Sequence, residues 1–211
     1  MIMCKQRERQ MSKRSTALIG AVVLGALGTF ASSARAWNHP GHMTTAAIAC
    51  YDKAIALDPN VALAYINRGV AYGRKGAFDR AIADYDKAIA LNAKSADAYF
   101  NRGLAYYRKG EVDRAIADFT KAIALDPNDA TAYNNRGVAY RKKGEVDRVI
   151  ADYTMAIALN AKYAVAYFNR GNAYYRKGEH DRAIADFRKA LEINPSDQEA
   201  KEGLKRLGAT P

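Results

Sequence analysis

An all-α solenoid of antiparallel helix pairs is predicted by two observations in this 211-residue sequence. Written in rows of 34 from Ala62, the chain gives Ala62 to Ser95, Ala96 to Asp129, Ala130 to Tyr163 and Ala164 to Asp197, with no insertion or deletion. Every row then carries the same marks: Tyr, Asn-Arg-Gly two residues on, Ala-Tyr, Lys-Gly, Asp-Arg, and Ile-Ala-Asp followed by Tyr or Phe. Two amphipathic helices per row follow from those marks. A single helix pair cannot bury its apolar faces alone, so neighbouring rows must stack.

The segment ahead of the rows reads in two parts. Residues 1–36 have the order of a cleavable secretory signal: a basic stretch ending at Arg14, an apolar run from Ala17 to Ala31, and Ala34-Arg35-Ala36 before Trp37. The run is shorter than the roughly 20 residues of a membrane-spanning helix and contains Gly20, Gly25 and Gly28. Cleavage after Ala36 is therefore expected, with an uncleaved anchor as the alternative. No membrane span is expected after cleavage. Cys4 does not adjoin the cleavage site and Lys13-Arg14 is not a twin arginine, so the general secretory route of a bacterium, to the periplasm or beyond, is expected.

Residues 37–61 contain an orphan second helix. Ala47, Tyr51, Ala54 and Pro59 stand 34 residues before Ala81, Tyr85, Ala88 and Ala93. Its first helix would fall at residues 28–41, so the face around Ile48, Cys50, Tyr51 and Ile55 needs another cover. Either Trp37 to Met43 folds over it or a second chain does, which allows a homodimer. Cys50 is left without an internal disulfide partner once residues 1–36 are gone.

In the first half of a row, Tyr99, Arg102, Gly103 and Tyr106 lie at i, i+3, i+4 and i+7, on one helical stripe. The helix should stop where Gly110 follows Lys109. The second helix opens with Glu111 and Asp113 at the positive end of its dipole, carries Ala115, Ile116, Phe119, Ala122 and Ile123 as its stripe, and ends before Pro127. Gly69, Gly103, Gly137 and Gly171 recur at one phase. Each costs about 1 kcal/mol against alanine, so close helix packing must require them. Residues 198–211 form a capping helix and tail, with Ala200, Leu204 and Leu207 on one face and charges elsewhere. A longer period of 68 links rows two and four (Phe100/Phe168, Tyr107/Tyr175) and rows one and three (Val70/Val138), as duplication of a repeat pair would give.

The pattern Tyr-x-x-Arg-Gly-x-x-Tyr, Ala-x-x-x-Phe/Tyr, Ala, Pro resembles the tetratricopeptide repeat from Ala62 to Pro195. The resemblance implies a right-handed superhelical solenoid that binds protein segments in a concave groove lined by the first helices. Two departures stand out. The family's usual leucine is Arg68, Arg102, Arg136 or Arg170 here, and its closing proline is alanine at Ala93 and Ala161. Each arginine has an aspartate sixteen residues later (Asp84, Asp118, Asp152, Asp186), so an ion pair is predicted between the two helices of every row.

By the family's ligand-contact positions, the groove implied by the resemblance holds Asn67, Asn101, Asn135 and Asn169 as a ladder of amides able to meet a peptide backbone. Beside them fall Ile66, Phe100, Asn134 and Phe168, then Gly73, Tyr107, Arg141 and Tyr175, then Arg74, Arg108, Lys142 and Arg176. The aromatics would give apolar contact and the basic row would meet ligand carboxylates. The competing reading has the same Asn and Arg side chains making bonds between repeats and forming solvated faces.

No catalytic constellation, cofactor motif or metal site is expected. Aspartate pairs recur identically in every row, which a single active site does not do. His39-Pro40-Gly41-His42 lacks further ligands nearby. Residues 1–36 supply five of the formal +11 charges, leaving +6 on the mature chain. That charge suits acidic partners. The expected function is a non-catalytic protein-interaction scaffold of the bacterial envelope. The alternatives are a cationic solenoid for nucleic acid or anionic lipid, disfavoured by the interleaved aspartates, and a structural homo-oligomer through the N-terminal helix.

Overall fold

The computed structural model describes residues 40–210, with side chains from Thr44 onward. Among them are ten α-helices and no strand. In chain order these are α1 (Pro40–Leu57), α2 (Ala62–Arg74), α3 (Phe78–Leu91), α4 (Ala96–Lys109), α5 (Val112–Leu125), α6 (Ala130–Lys143), α7 (Val146–Leu159), α8 (Ala164–Arg176), α9 (His180–Ile193) and α10 (Gln198–Arg206). The chain parts into two compact units between Lys94 and Ser95.

In the first unit α1 packs on α2, and α2 on α3. Pro40 to Met43 continue helix α1, so these residues do not return over its face as one expectation had it. Trp37 to His39, the signal sequence and the cleavage site lie outside the described residues. Cys50 is a free, half-buried thiol. In the second unit the order is α4 with α5, α6 with α7 and α8 with α9, each pair packing on the next, and α10 closes on α9.

Each first helix turns back where the sequence places Lys-Gly. Gly110 has φ 85°, a left-handed conformation in which the loop amides reach the carbonyls of Tyr106 and Tyr107. The second helices end on a different device. Asp126 Oδ1 accepts from the Asn128 amide at 3.1 Å, and Asn160 Oδ1 accepts from Lys162 at 3.0 Å. This side-chain turn needs Asp or Asn and not the following proline, which is why Ala161 ends its helix as Pro127 does. The same turn, from Asn92 to Lys94, serves at Ala93.

The recurrent glycines are explained by close approach. A Cβ on Gly137 would stand 2.8 Å from Tyr153 Cε1, and one on Gly103 would stand 2.9 Å from Phe119 Cε1. The second helix's aromatic ring therefore lies directly on the first helix's backbone. Around it Ala115 and Phe119 or Val149 and Tyr153 are buried, as are Ala183, Phe187 and Leu204 at the C-terminal end. The first-helix tyrosines turn toward the partner helix: Tyr65 is buried and Tyr99, Tyr133, Tyr167, Tyr72, Tyr106, Tyr140 and Tyr174 are half-buried.

Every predicted ion pair forms. Arg68, Arg102, Arg136 and Arg170 meet Asp84, Asp118, Asp152 and Asp186 between 2.6 and 2.9 Å, with nearly buried carboxylates. Each contact uses Nε and one terminal nitrogen, the paired geometry that suits guanidinium to carboxylate. The same guanidinium sits against two tyrosines of its own helix, 5.6 Å from the Tyr133 ring centre and 5.9 Å from that of Tyr140 for Arg136.

Candidate functional site

The first helices of the second unit, α4, α6 and α8, carry the side chains that the groove reading singles out. Their amide ladder is engaged within the protein. Asn101 donates to the Asp97 carbonyl and Asn135 to that of Thr131, both at 2.8 Å, one turn back on their own helices. Asn169 is buried and donates at 3.2 Å to Oδ1 of Asn134, itself buried on α6. Back-bonding occupies one amide hydrogen and leaves the carboxamide oxygen available at half-buried Asn101 and Asn135. Asn169 instead links two repeats. Asn67, on α2 in the first unit, is half-buried.

Phe100 and Phe168 are half-buried and stack at a tilt on Phe119 and Phe187, with ring centres 5.8 and 5.9 Å apart. They form part of the wall of the core as well as its surface. Asn134 replaces such a phenylalanine in the intervening repeat, and there the second-helix ring is Tyr153, fully buried. Its hydroxyl has no hydrogen-bond partner among the described residues. Burial pushes this hydroxyl up to about 12, while nearby Arg141 pulls it down.

Two helical turns farther on, Tyr107, Arg141 and Tyr175 occupy one phase of α4, α6 and α8. Lys142 Nζ lies 4.5 Å over the Tyr107 ring, and Tyr175, exposed at 38%, stacks on His180 and lies 5.8 Å from the Arg206 guanidinium carbon. Arg108, Arg141, Lys142 and Arg176 are all exposed in the last turns of their helices. Among the described residues, Arg108, Arg141 and Arg176 make no ion pair. Favourable interaction with the helix C-terminus accounts for some cationic character here. It does not account for the contrast with the paired arginines at the helix centres.

Two further sets of contacts escape a row-by-row sequence comparison. Lys143 reaches back to Asp113 at 2.8 Å and Lys177 to Asp147 at 2.9 Å, tying each first helix to the start of the preceding second helix. Glu111, placed by sequence as a helix-dipole partner, is at the N-cap position of α5 but makes no side-chain cap. It pairs with Lys109 at 2.8 Å and Arg114 at 2.7 Å, which lowers its proton affinity. The exposed apolar side chains Met155, Leu159 and Val165 were also not singled out. Met155 stands where the other rows have Lys87, Lys121 and Lys189, and that break in the row is its sequence signal.

The aspartates held to interleave with the basic rows are buried beneath their arginines, so they do not dilute the charge of the first-helix face. That argument against nucleic acid therefore lapses. Among the described residues no three of His, Cys, Asp and Glu are grouped to hold a metal ion. The His39 to His42 fragment lies outside the described side chains. No described helix is long and apolar enough to cross a membrane.

Solved structures similar to this chain include MamA, 34% identical with TM-score 0.68 over 72% of this chain and 89% of that one. A second is YrrB, described as a TPR protein with an unusual peptide-binding site, 25% identical with TM-score 0.67 over 78% of this chain and 84% of that one. A third is the first TPR of Spaghetti bound to the HSP90 peptide SRMEEVD, 29% identical with TM-score 0.54 over 56% of this chain and 93% of that one. No curated protein sequence gives a significant match. A family model for the TPR repeat matches residues 44–76, 74–110, 103–144 and 137–178, and a second, for the tetratricopeptide repeat, matches 164–197. Those matches cover most of the chain, and the protein belongs to the tetratricopeptide repeat family, whose fold is that of a protein-interaction scaffold.

Proposed function

We propose that this chain is a non-catalytic adaptor of the bacterial envelope that holds a segment of a partner protein on its first-helix face. The observation that carries the reading is the set of exposed cations, Arg108, Arg141, Lys142 and Arg176, beside the aromatic rings of Tyr107 and Tyr175. Cations without internal carboxylates and partly open aromatic rings are the groups that recur where proteins bind tightly. The peptide-binding relatives, YrrB and the Spaghetti domain, support the same use of this fold.

The test is capture from envelope extract by the parent chain beside a variant with Arg108→Glu, Arg141→Glu and Arg176→Glu. These exposed positions change charge without entering the core. One or more proteins held by the parent and lost by the variant is the expected result, and identical sets would overturn the reading. The envelope location is tested separately by fractionation and N-terminal sequencing, with Trp37 expected as the first residue.

The cationic-solenoid reading rests on the same exposed Arg108, Arg141, Lys142 and Arg176. It predicts a steep fall in nucleic-acid affinity with salt, whereas peptide capture that shares its strength between one or two ion pairs and aromatic contacts falls less steeply.

A further inference from the structure

The row formed by Tyr107, Arg141 and Tyr175 alternates aromatic, cation, aromatic over three successive first helices of one compact unit. Within this row Arg141 is the only cation, exposed and without an ion pair among the described residues. Lys142, which rests on the Tyr107 ring, is an exposed and flexible neighbour able to leave the ring for a better partner. Two exposed cations, Arg141 and Lys142, thus stand on α6, with aromatic rings at the same phase of α4 and α8 on either side.

Successive first helices meet through their side chains, Lys142 of α6 lying on the Tyr107 ring of α4 and Asn169 of α8 donating to Asn134 of α6, so their axes stand on the order of 10 Å apart. An extended chain advances roughly 3.3–3.6 Å per residue, so one step along the row corresponds to about three ligand residues. We infer that this row reads an extended segment of a partner polypeptide in which an aspartate or glutamate is flanked, about three residues to either side, by apolar side chains. The carboxylate meets Arg141, with Lys142 turning toward it. The apolar side chains lie on the Tyr107 and Tyr175 rings, the first of which Lys142 uncovers as it turns. A carboxylate is acceptor-only and so complements the two cations, which are donor-only. The inference rests on the peptide-holding function proposed above and specifies which peptides are held.

The experiment is selection from a phage-displayed library of random dodecapeptides on the full chain and, in parallel, on Arg141→Glu, with helicity compared by circular dichroism to establish that both are folded. The parent is expected to enrich peptides with a central Asp or Glu and an apolar residue about three positions away on each side. The variant is expected to enrich Lys or Arg at the centre. A synthetic peptide from the parent pool should lose at least tenfold in affinity when its central acid becomes the amide. Enriched peptides without a central acid, or one consensus for both proteins, would overturn this inference and leave the groove reading standing. Failure of either protein to enrich any peptide would overturn both.

Discussion

Arg136 holds Asp152 through two hydrogen bonds, Nε to Oδ2 at 2.9 Å and Nη2 to Oδ1 at 2.7 Å, and its third nitrogen donates to Thr120 Oγ1 at 3.2 Å. One side chain thus joins its own helix pair to the second helix of the preceding repeat. The Asp152 side chain is only 6% exposed, against 18% for Arg136. Arg136→Glu places a second carboxylate against a buried one and should cost about 3–5 kcal/mol in chemical denaturation. Arg136→Met with Asp152→Leu removes both charges and should recover most of the loss. An unchanged unfolding midpoint for the single variant would rule out a stabilising role for the pair.

Two helical glycines should respond oppositely to alanine. At Gly137 a Cβ meets Tyr153 Cε1 at 2.8 Å, so the variant must displace a ring packed on all sides and lose stability, by about 1–3 kcal/mol for overpacking. At Gly73 a Cβ meets nothing within 4 Å. There the lower backbone entropy of unfolded alanine should raise stability by a few tenths to about 1 kcal/mol. Thermal melts of the two variants beside the parent measure both signs.

The helices and the pairs within a row were legible because a 34-residue register compares like with like. It aligns Arg136 with Arg102, and Asp152 with Asp118, and each pair spans sixteen residues. Contacts between rows were not legible, since nothing in a row marks which residue of its neighbour it touches. Arg68 to Asp52 at 2.7 Å, Arg136 to Thr120, and Lys143 to Asp113 are of that kind. In retrospect the C-terminal end carries a signal. In the truncated fifth row the arginine phase is Leu204, fully buried, and the acceptor sixteen residues earlier, which is Asp52 for Arg68, Thr120 for Arg136 and Thr154 for Arg170, becomes Arg188, bonded to the Thr210 carbonyl. A missing donor and a missing acceptor together mark the last repeat. The groove was less legible than the fold, since asparagines that align as one ladder make two different kinds of bond, to their own helix at Asn101 and Asn135 and to another repeat at Asn169.

Asn134 and Asn169 form a buried amide pair joining α6 to α8. Asn134→Ala leaves the Asn169 carboxamide buried without its acceptor, at a cost of about 1–3 kcal/mol. Replacing both by alanine removes the stranded group, so the double variant should be less damaged than the sum of the two single ones. A double-mutant cycle in urea measures the coupling, and a coupling indistinguishable from zero would remove the pair from the stability of this repeat interface.

Tyr153→Phe installs the residue that rows two and four carry at this phase, Phe119 and Phe187, and deletes a buried hydroxyl with no partner. Stability near neutral pH should rise by up to about 1 kcal/mol, since the desolvated hydroxyl opposes folding. The alkaline response adds a second readout. Burial lifts this hydroxyl from the ordinary value of 10 to about 12, so across that window the unfolded chain releases the proton while the folded chain keeps it. With fewer protons bound in the unfolded state, stability falls as pH rises from 10 toward 12. Tyr85, also raised by burial, contributes in the same direction, so Tyr153→Phe should flatten the decline and Tyr85→Phe with Tyr153→Phe should flatten it further. Urea midpoints measured from pH 8 to about pH 11.5 give the slopes; parallel curves for parent and variant would show that the Tyr153 hydroxyl reaches solvent and ionises like an exposed tyrosine.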